Sequence, residues 1–344
     1  MSSKKDVVQN VSPLGFPWET ADPFLFCVHH YDAYPEGNDA MGPDPSLLKG
    51  RNLGHDFAGK DGWSMYHGDV VPGFPQHPHR GFETVTLARQ GFIDHTDSLG
   101  AKARFGHGDV QWMTAGKGVV HSETFPLVNK DKPNPTELFQ IWLNLPREHK
   151  LVDPHFAMFW NEDVPRKTFE DEEGRKTTLT IVAGSFDAMT PPSPPPESWA
   201  ANPDHHVAIW TLTLEPGAQW TVPAAPKKAN RSLYVFTGNG IRIAGEEIPI
   251  ERRVQVDPTA EVQLQNGDTE TEILMLQGRP IEEPVAQRGP FVMNYPAEIR
   301  QAMVDYQNTQ FGGWPWDTAA PVHPRDEGRF AVHIDGRLDR PPSS

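Results

Sequence analysis

A chain of 344 residues exceeds the usual span of one hydrophobic core, so two domains of ordinary length are expected. The formal charge of -15 repels phosphate backbones and anionic lipid surfaces, and no dense Lys/Arg stripe offsets it, which argues against nucleic acid and membranes as direct partners. Cys27 is the only cysteine, which excludes an intrachain disulfide and a thiolate metal cage.

The opening MSSKKDVVQN has no apolar core of the secretory kind, and no apolar run reaches about 18 residues. A reducing, soluble compartment is therefore expected, in a bacterium the cytoplasm. Residues 1 to about 20 are polar and read as a loose tail or an edge strand. Phe24 to His30 reads as a strand. The stretch from about 35 to 65 is rich in Gly, Pro and Asp without a period and reads as a long surface excursion.

From Met65 to about Leu145, short alternating runs such as ETVTLARQG, ARFGHGDVQWM, GVVHSETF and LFQIWLNL are separated by Gly-containing turns. The 35 prolines and 29 glycines suit the same picture, because both residues punctuate regular structure rather than extend it. This is the rhythm of an antiparallel barrel or sandwich. TPPSPPPES (190–198) cannot hold a helix or a central strand, so it is an interdomain linker or a loop over the surface.

Beyond it, VAIWTLTLEPG, SLYVFTGNGIRI and TEILMLQG repeat the same grammar, and Gly238-Asn239-Gly240 reads as a hairpin turn. The one helix expected lies in NYPAEIRQAMVDYQ, with Asn294 as N-cap, Pro296 in the first turn, and Ile299, Met303 and Tyr306 on one face. Gly312-Gly313 ends it.

The chemistry lies in GFPQHPHRGFET and GKGVVHSETF. Side chains two apart on a strand share a face, so His77 pairs with His79, and His121 with Glu123. If the first strand ran on without a bulge, Val85 and Leu87 would share the histidine face. Val119 and Phe125 share the other pair's parity. Two such pairs facing one barrel interior can enclose an ion with three imidazoles and a carboxylate. That donor set favours iron, manganese, nickel, copper or zinc over calcium or magnesium, and four protein ligands leave room for dioxygen or an oxygen-bearing substrate.

These residues also carry a family likeness. HPHRGFETVTL, HTDSLG, GDVQWMTAGKGVVHSE, GPFVMNYPAEIRQAMVDYQ and the closing FGGWPW and GRFAVHIDG resemble the signature of the pirin family, from about Pro23 to Gly336. The resemblance implies an all-β bicupin: two jelly-roll barrels packed together, with a short C-terminal helix. The domains expected are 1–188 with the metal site and 189–344 without one, the latter carrying the helix and tail. It implies ferrous iron held by His77, His79, His121 and Glu123. Parity alone would also let Glu83 face the metal, where many cupins take their carboxylate. The pirin pattern takes Glu123 instead and leaves Glu83 a hydrogen-bonded structural acid.

Function follows from the same resemblance. The expected activity is that of a quercetin 2,3-dioxygenase, opening a flavonol with dioxygen and releasing carbon monoxide. The ion would acidify the flavonol hydroxyl, and Glu123 would accept the proton. The alternative is a non-enzymatic, iron-dependent regulator that binds a transcription factor or metabolic enzyme as protein partner. The second half has no His-x-His motif. His205 and His206, adjacent on a strand, would point to opposite faces and be solvated. His95 and His107 are expected near turns, with His95 at the surface rather than bordering the cavity. His323 and His333 fall in the tail, where Trp314 and Trp316 read as a docking plug.

Overall fold

The computed structural model describes residues 7–342 of the chain, and almost all of its regular structure is short antiparallel strand. The readings made for the first six residues lie outside the described residues. The expected edge strand is present as Val8–Pro13, paired with Arg252–Val256.

Contacts divide the chain into two units, and the division is not a single cut. One unit holds the described residues up to Cys27 with 163–282; the other holds 28–162 with 283 onward. The expected boundary after residue 188 therefore does not match, and the C-terminal helix and tail belong with the histidine-bearing half. The reason is long-range burial: Ile299 and Ala302 of the helix pack against Val120, Phe291 and Met293. No local sequence period reports such a return. The proline run lies inside the unit formed by 163–282, so it is not the linker between units.

In the histidine-bearing unit, a six-stranded sheet runs in the order 338–339, 330–332, 102–106, 92–97, 119–124, 73–79. A five-stranded sheet runs 155–159, 109–114, 82–90, 134–144, 24–34. The two share one core, in which Ile93, Ala103 and Phe105 meet Ala88, Leu138 and Phe156. The excursion before them is only partly superficial. Trp63, Met65 and Tyr66 are buried in that core, and Asp56 bridges to Tyr66.

The other unit is built alike from a seven-stranded and a four-stranded sheet. Its core joins Leu179, Trp210 and Leu233 to Val222, Ile241 and Leu264. Gly238-Asn239-Gly240 is a turn but not a hairpin. It carries the chain from strand Asn230–Thr237 in one sheet to Ile241–Ile243 in the other. His205 and His206 are not on a strand: His205 ends a 3-10 turn and stacks on Trp199, and both are half-buried.

The helix spans Pro296–Thr309, capped one residue later than expected, at Tyr295. Glu298 accepts from the backbone N–H of Asn294 and Tyr295, while the Asn294 amide donates to Glu283 and to the Pro284 carbonyl. Gln310, with φ +49°, stops the helix before the glycines. Ile299 is buried and Met303 and Tyr306 are half-buried on one face, as the spacing required.

Candidate metal centre

Three antiparallel neighbours build the site: Gly73–His79, Val119–Thr124 and Phe92–Asp97. The register places His77 directly opposite His121, with a bulge between Phe74 and His77 that re-aims the chain as it enters the site. His79 follows two residues on, on the same face. The strand does not continue past it. Arg80 and Gly81 form a corner, Gly81 at φ +85°, and the chain resumes as Phe82–Gln90 in the other sheet.

That corner resets parity, so the expectation for Val85 and Leu87 fails. Thr86, which alternates with them, is the residue that reaches Glu123. Glu83 shares the parity of Val85 and accepts a 2.6 Å hydrogen bond from Thr114. It is the structural acid.

The ligand-capable nitrogens of His77, His79 and His121 lie within 4.8 Å of one another. The His77 and His121 ring centroids are 4.4 Å apart, and His79 lies 4.8 Å from each. Glu123 is a neighbour of this triad: its Oε2 lies 3.8 Å from His121 Nε2. His79, His121 and Glu123 are buried, and His77 is half-buried at the edge of the group. Burial holds His77 down to about 4 and holds His79 and His121 well below the ordinary histidine range, so all three are neutral lone-pair donors at pH 7. Burial pushes Glu123 up to about 7, against the pull of His95 and Thr86. A cation beside the carboxylate would reverse that shift.

The hydrogen bonds fit a cation. His77 Nδ1 is bonded to the Pro75 carbonyl at 2.8 Å, which leaves Nε2 for the cluster. Neither ring nitrogen of His121 has a hydrogen-bond partner among the described residues, and neither does His79 Nδ1. Buried nitrogens without partners are costly, and a metal ion satisfies them. Glu123 has only two long contacts, Thr86 Oγ1 and Gln140 Nε2, each at 3.4 Å. The Thr86 hydroxyl spends its short bond, 2.6 Å, on Gln140. The carboxylate is thus oriented but not saturated.

The sequence reading missed His95. It is fully buried rather than at the surface, pairs in register with Glu123, and its ring lies 5.4 Å from His121. Its Nε2 is 3.4 Å from Asp97 Oδ2, and its Nδ1 has no partner among the described residues. The alternation Ile93, His95, Asp97 was the available signal; the adjacent turn obscured it. The tail docks close by. Trp316 Nε1 donates to the Asp97 carbonyl at 2.8 Å, and the His323 ring lies 3.1 Å from the His95 carbonyl. The excursion also borders the site, since Tyr66, His67 and Phe74 form an aromatic group whose Phe74 ring is 6.2 Å from His77.

A pirin family model matches residues 48–143, and the model of the pirin C-terminal cupin domain matches 209–312. Human pirin is 33% identical over 72% of this chain and 80% of its own length. The chain belongs to the pirin family. Pirin-1 of Arabidopsis thaliana is 38% identical over 70% of this chain and 78% of its own. A Pseudomonas aeruginosa pirin relative, provisionally named a quercetin 2,3-dioxygenase, is 35% identical over 70% of this chain and 79% of its own. The fold agrees: a crystal structure of quercetin 2,3-dioxygenase from Acinetobacter baumannii has a TM-score of 0.69 at 24% identity, covering 89% of this chain and 98% of that one. This pirin is therefore an all-β protein of two cupin domains with one short C-terminal helix.

Proposed function

We propose that this pirin is an iron-dependent dioxygenase of the quercetin 2,3-dioxygenase type, with His77, His79, His121 and Glu123 as its metal ligands. The observation that carries the reading is a largely buried, neutral three-histidine cluster with unpartnered nitrogens beside a lightly held carboxylate. Imidazole and carboxylate donors suit Fe2+, and the relatives named for quercetin cleavage give the substrate class. When bound, the ion supplies Lewis acidity toward a substrate hydroxyl and redox chemistry toward dioxygen.

The chain's own residues do the rest. The histidines, held neutral by burial, keep the donor set constant across physiological pH. Glu123 accepts the flavonol hydroxyl proton, and Thr86 with Gln140 holds it in position for that transfer. Thr84 and Gln111 share the inward parity of Thr86, and their buried polar atoms are without partners among the described residues. They offer hydrogen bonds to an oxygen-rich substrate.

The reaction balances: a flavonol and dioxygen give a ring-opened ester that keeps both oxygen atoms of the dioxygen, and the ring carbon that carried the 3-hydroxyl leaves with its own oxygen as carbon monoxide. Among the described residues no helix is long and apolar enough to cross a membrane. The test is anaerobic purification, then addition of quercetin and oxygen with carbon monoxide detection. Stoichiometric carbon monoxide supports the proposal. A metal-loaded protein that releases none contradicts it and favours the regulatory reading, in which an acidic protein of charge -15 engages a basic partner surface.

A further inference from the structure

The barrel without the histidine cluster contains a cavity of about 600 Å3 at one end, within the range of small-molecule sites. Its floor comes from three adjacent strands. Arg231 stands opposite Gln277, and Gln277 opposite Ala208, with Trp210 two residues further along. Arg231 shares the parity of Leu233 and Val235, Gln277 that of Met275, and Trp210 that of Leu212. All of these partners lie in the barrel core, so the polar groups point inward. The proline run supplies part of the wall, through Pro191, Pro192 and Pro194.

The buried charge in this cavity has no buried counter-charge among the described residues. Arg231 is 4% exposed, and the partners its guanidinium takes are the Gln277 side-chain oxygen and the Pro223 carbonyl, not a carboxylate. Burial alone holds its guanidinium down to about 10, with no acidic neighbour pulling the other way. A buried cation left without an anion is costly, even in a protein this acidic. Asp187 also lines the cavity, but its side chain is 62% exposed at the rim and faces Lys167 Nζ at 3.2 Å.

The donors are arranged for a planar anion. Arg231 Nε and Nη2 both donate to Gln277 Oε1, and Nη1 donates to the Pro223 carbonyl at 2.7 Å. That leaves one N–H on each terminal nitrogen. Gln277 is itself fixed by donating to the His206 carbonyl at 3.0 Å. The indole N–H of Trp210, also 4% exposed, has no partner among the described residues. Beside these donors the wall is apolar, with Phe186 edge-on to Trp210 at 5.8 Å.

We propose that this cavity is a second small-molecule site, for a monocarboxylate carried on an aromatic or similarly apolar body. The two free guanidinium N–H groups take the carboxylate oxygens as a fork, and the Trp210 N–H supplies a further donor. One cation matches one negative charge, which favours a carboxylate over a phosphate dianion. The apolar body lies against Phe186, Trp210 and the prolines. Nothing in this site depends on the histidine cluster of the other unit.

Calorimetric titration of the full chain with sodium benzoate, benzamide and inorganic phosphate at fixed ionic strength tests it. Benzoate is expected to bind with a Kd of about 1 mM or tighter, and benzamide and phosphate at least about tenfold more weakly. Trp210→Phe keeps the ring and should weaken benzoate by about fivefold. Arg231→Lys keeps the charge but loses the fork and should weaken it by about tenfold or more. His121→Ala should leave benzoate binding unchanged, which separates this site from any carboxylate bound at the metal. Equal binding of benzamide or phosphate, benzoate affinity unaffected by Arg231→Lys, loss of binding in His121→Ala, or no saturable heat up to about 10 mM would each overturn the proposal.

Discussion

His121 and Glu123 sit two residues apart on one strand, and the proposed function gives them different tasks. His121 is buried with both ring nitrogens unpartnered among the described residues, so a bound ion would compensate it. Glu123 has contacts of its own, with Thr86 and Gln140. His121→Ala is therefore expected to lose most bound metal, by about tenfold to a hundredfold in affinity, and turnover with it. Glu123→Gln should hold metal better than His121→Ala yet lose about a hundredfold in turnover, because the amide cannot accept the proton. Metal content by elemental analysis alongside carbon monoxide release checks both; a Gln variant with normal turnover would remove Glu123 from the proton-transfer role.

At the scale of elements, the site depends on how the ligand strands are turned and backed. Gly118 opens strand Val119–Thr124 at φ +135°, and a Cβ there would lie 2.5 Å from the Phe311 ring. Phe311 belongs to the cluster that seats the C-terminal helix behind Val120. Arg80 ties the same parts together: it donates to the Lys117 carbonyl at 2.7 Å, pairs with Asp305 of the helix at 2.6 Å, and lies over Phe311. Gly118→Ala should cost about 2 kcal/mol or more in urea unfolding, through backbone strain and overpacking together. An unchanged midpoint would mean that the helix is not seated as described.

Much of this level was legible in the sequence. Period-two spacing placed His77 with His79 and His121 with Glu123, and alternation located the strands. What spacing could not show was the corner at Gly81, since a single positive φ moves the following strand to another sheet and reverses which residues face inward. His95 escaped for a related reason. Only the cross-strand register sets it opposite Glu123, and register is a long-range property.

For the whole molecule, the illegible part was the exchange of segments between units. Nothing local in Val8–Pro13 says that it pairs near residue 254, and nothing local in Phe330–Val332 says that it extends the sheet of the ligand strands. Composition spoke more clearly at this scale: a protein of charge -15 should show no retention of duplex DNA in a mobility assay at about 0.15 M salt, and retention would contradict the electrostatic reading.

Stability should carry a mark of Lys150, which is buried and donates to the Gly81 carbonyl at 2.9 Å and to Asn144 at 2.8 Å. Burial holds this amine down to about 8, while Glu283 and Glu298 pull the other way. Between that value and 10.5 the unfolded chain binds more protons than the native one, so native stability rises with pH across the window. Wild type should gain on Lys150→Gln in unfolding midpoint as pH climbs from 8 toward 10.5. A gap that is flat or narrows in the opposite sense would contradict the assignment.

The central claim is that imidazoles of His77, His79 and His121 share one ion. X-ray absorption fine structure at the edge of the metal bound by the isolated protein tests it most directly. The account predicts about three imidazole nitrogens near 2.0–2.2 Å with a carboxylate oxygen in the remaining scattering. A spectrum of oxygen ligands alone, without the outer-ring scattering of imidazole, would contradict it.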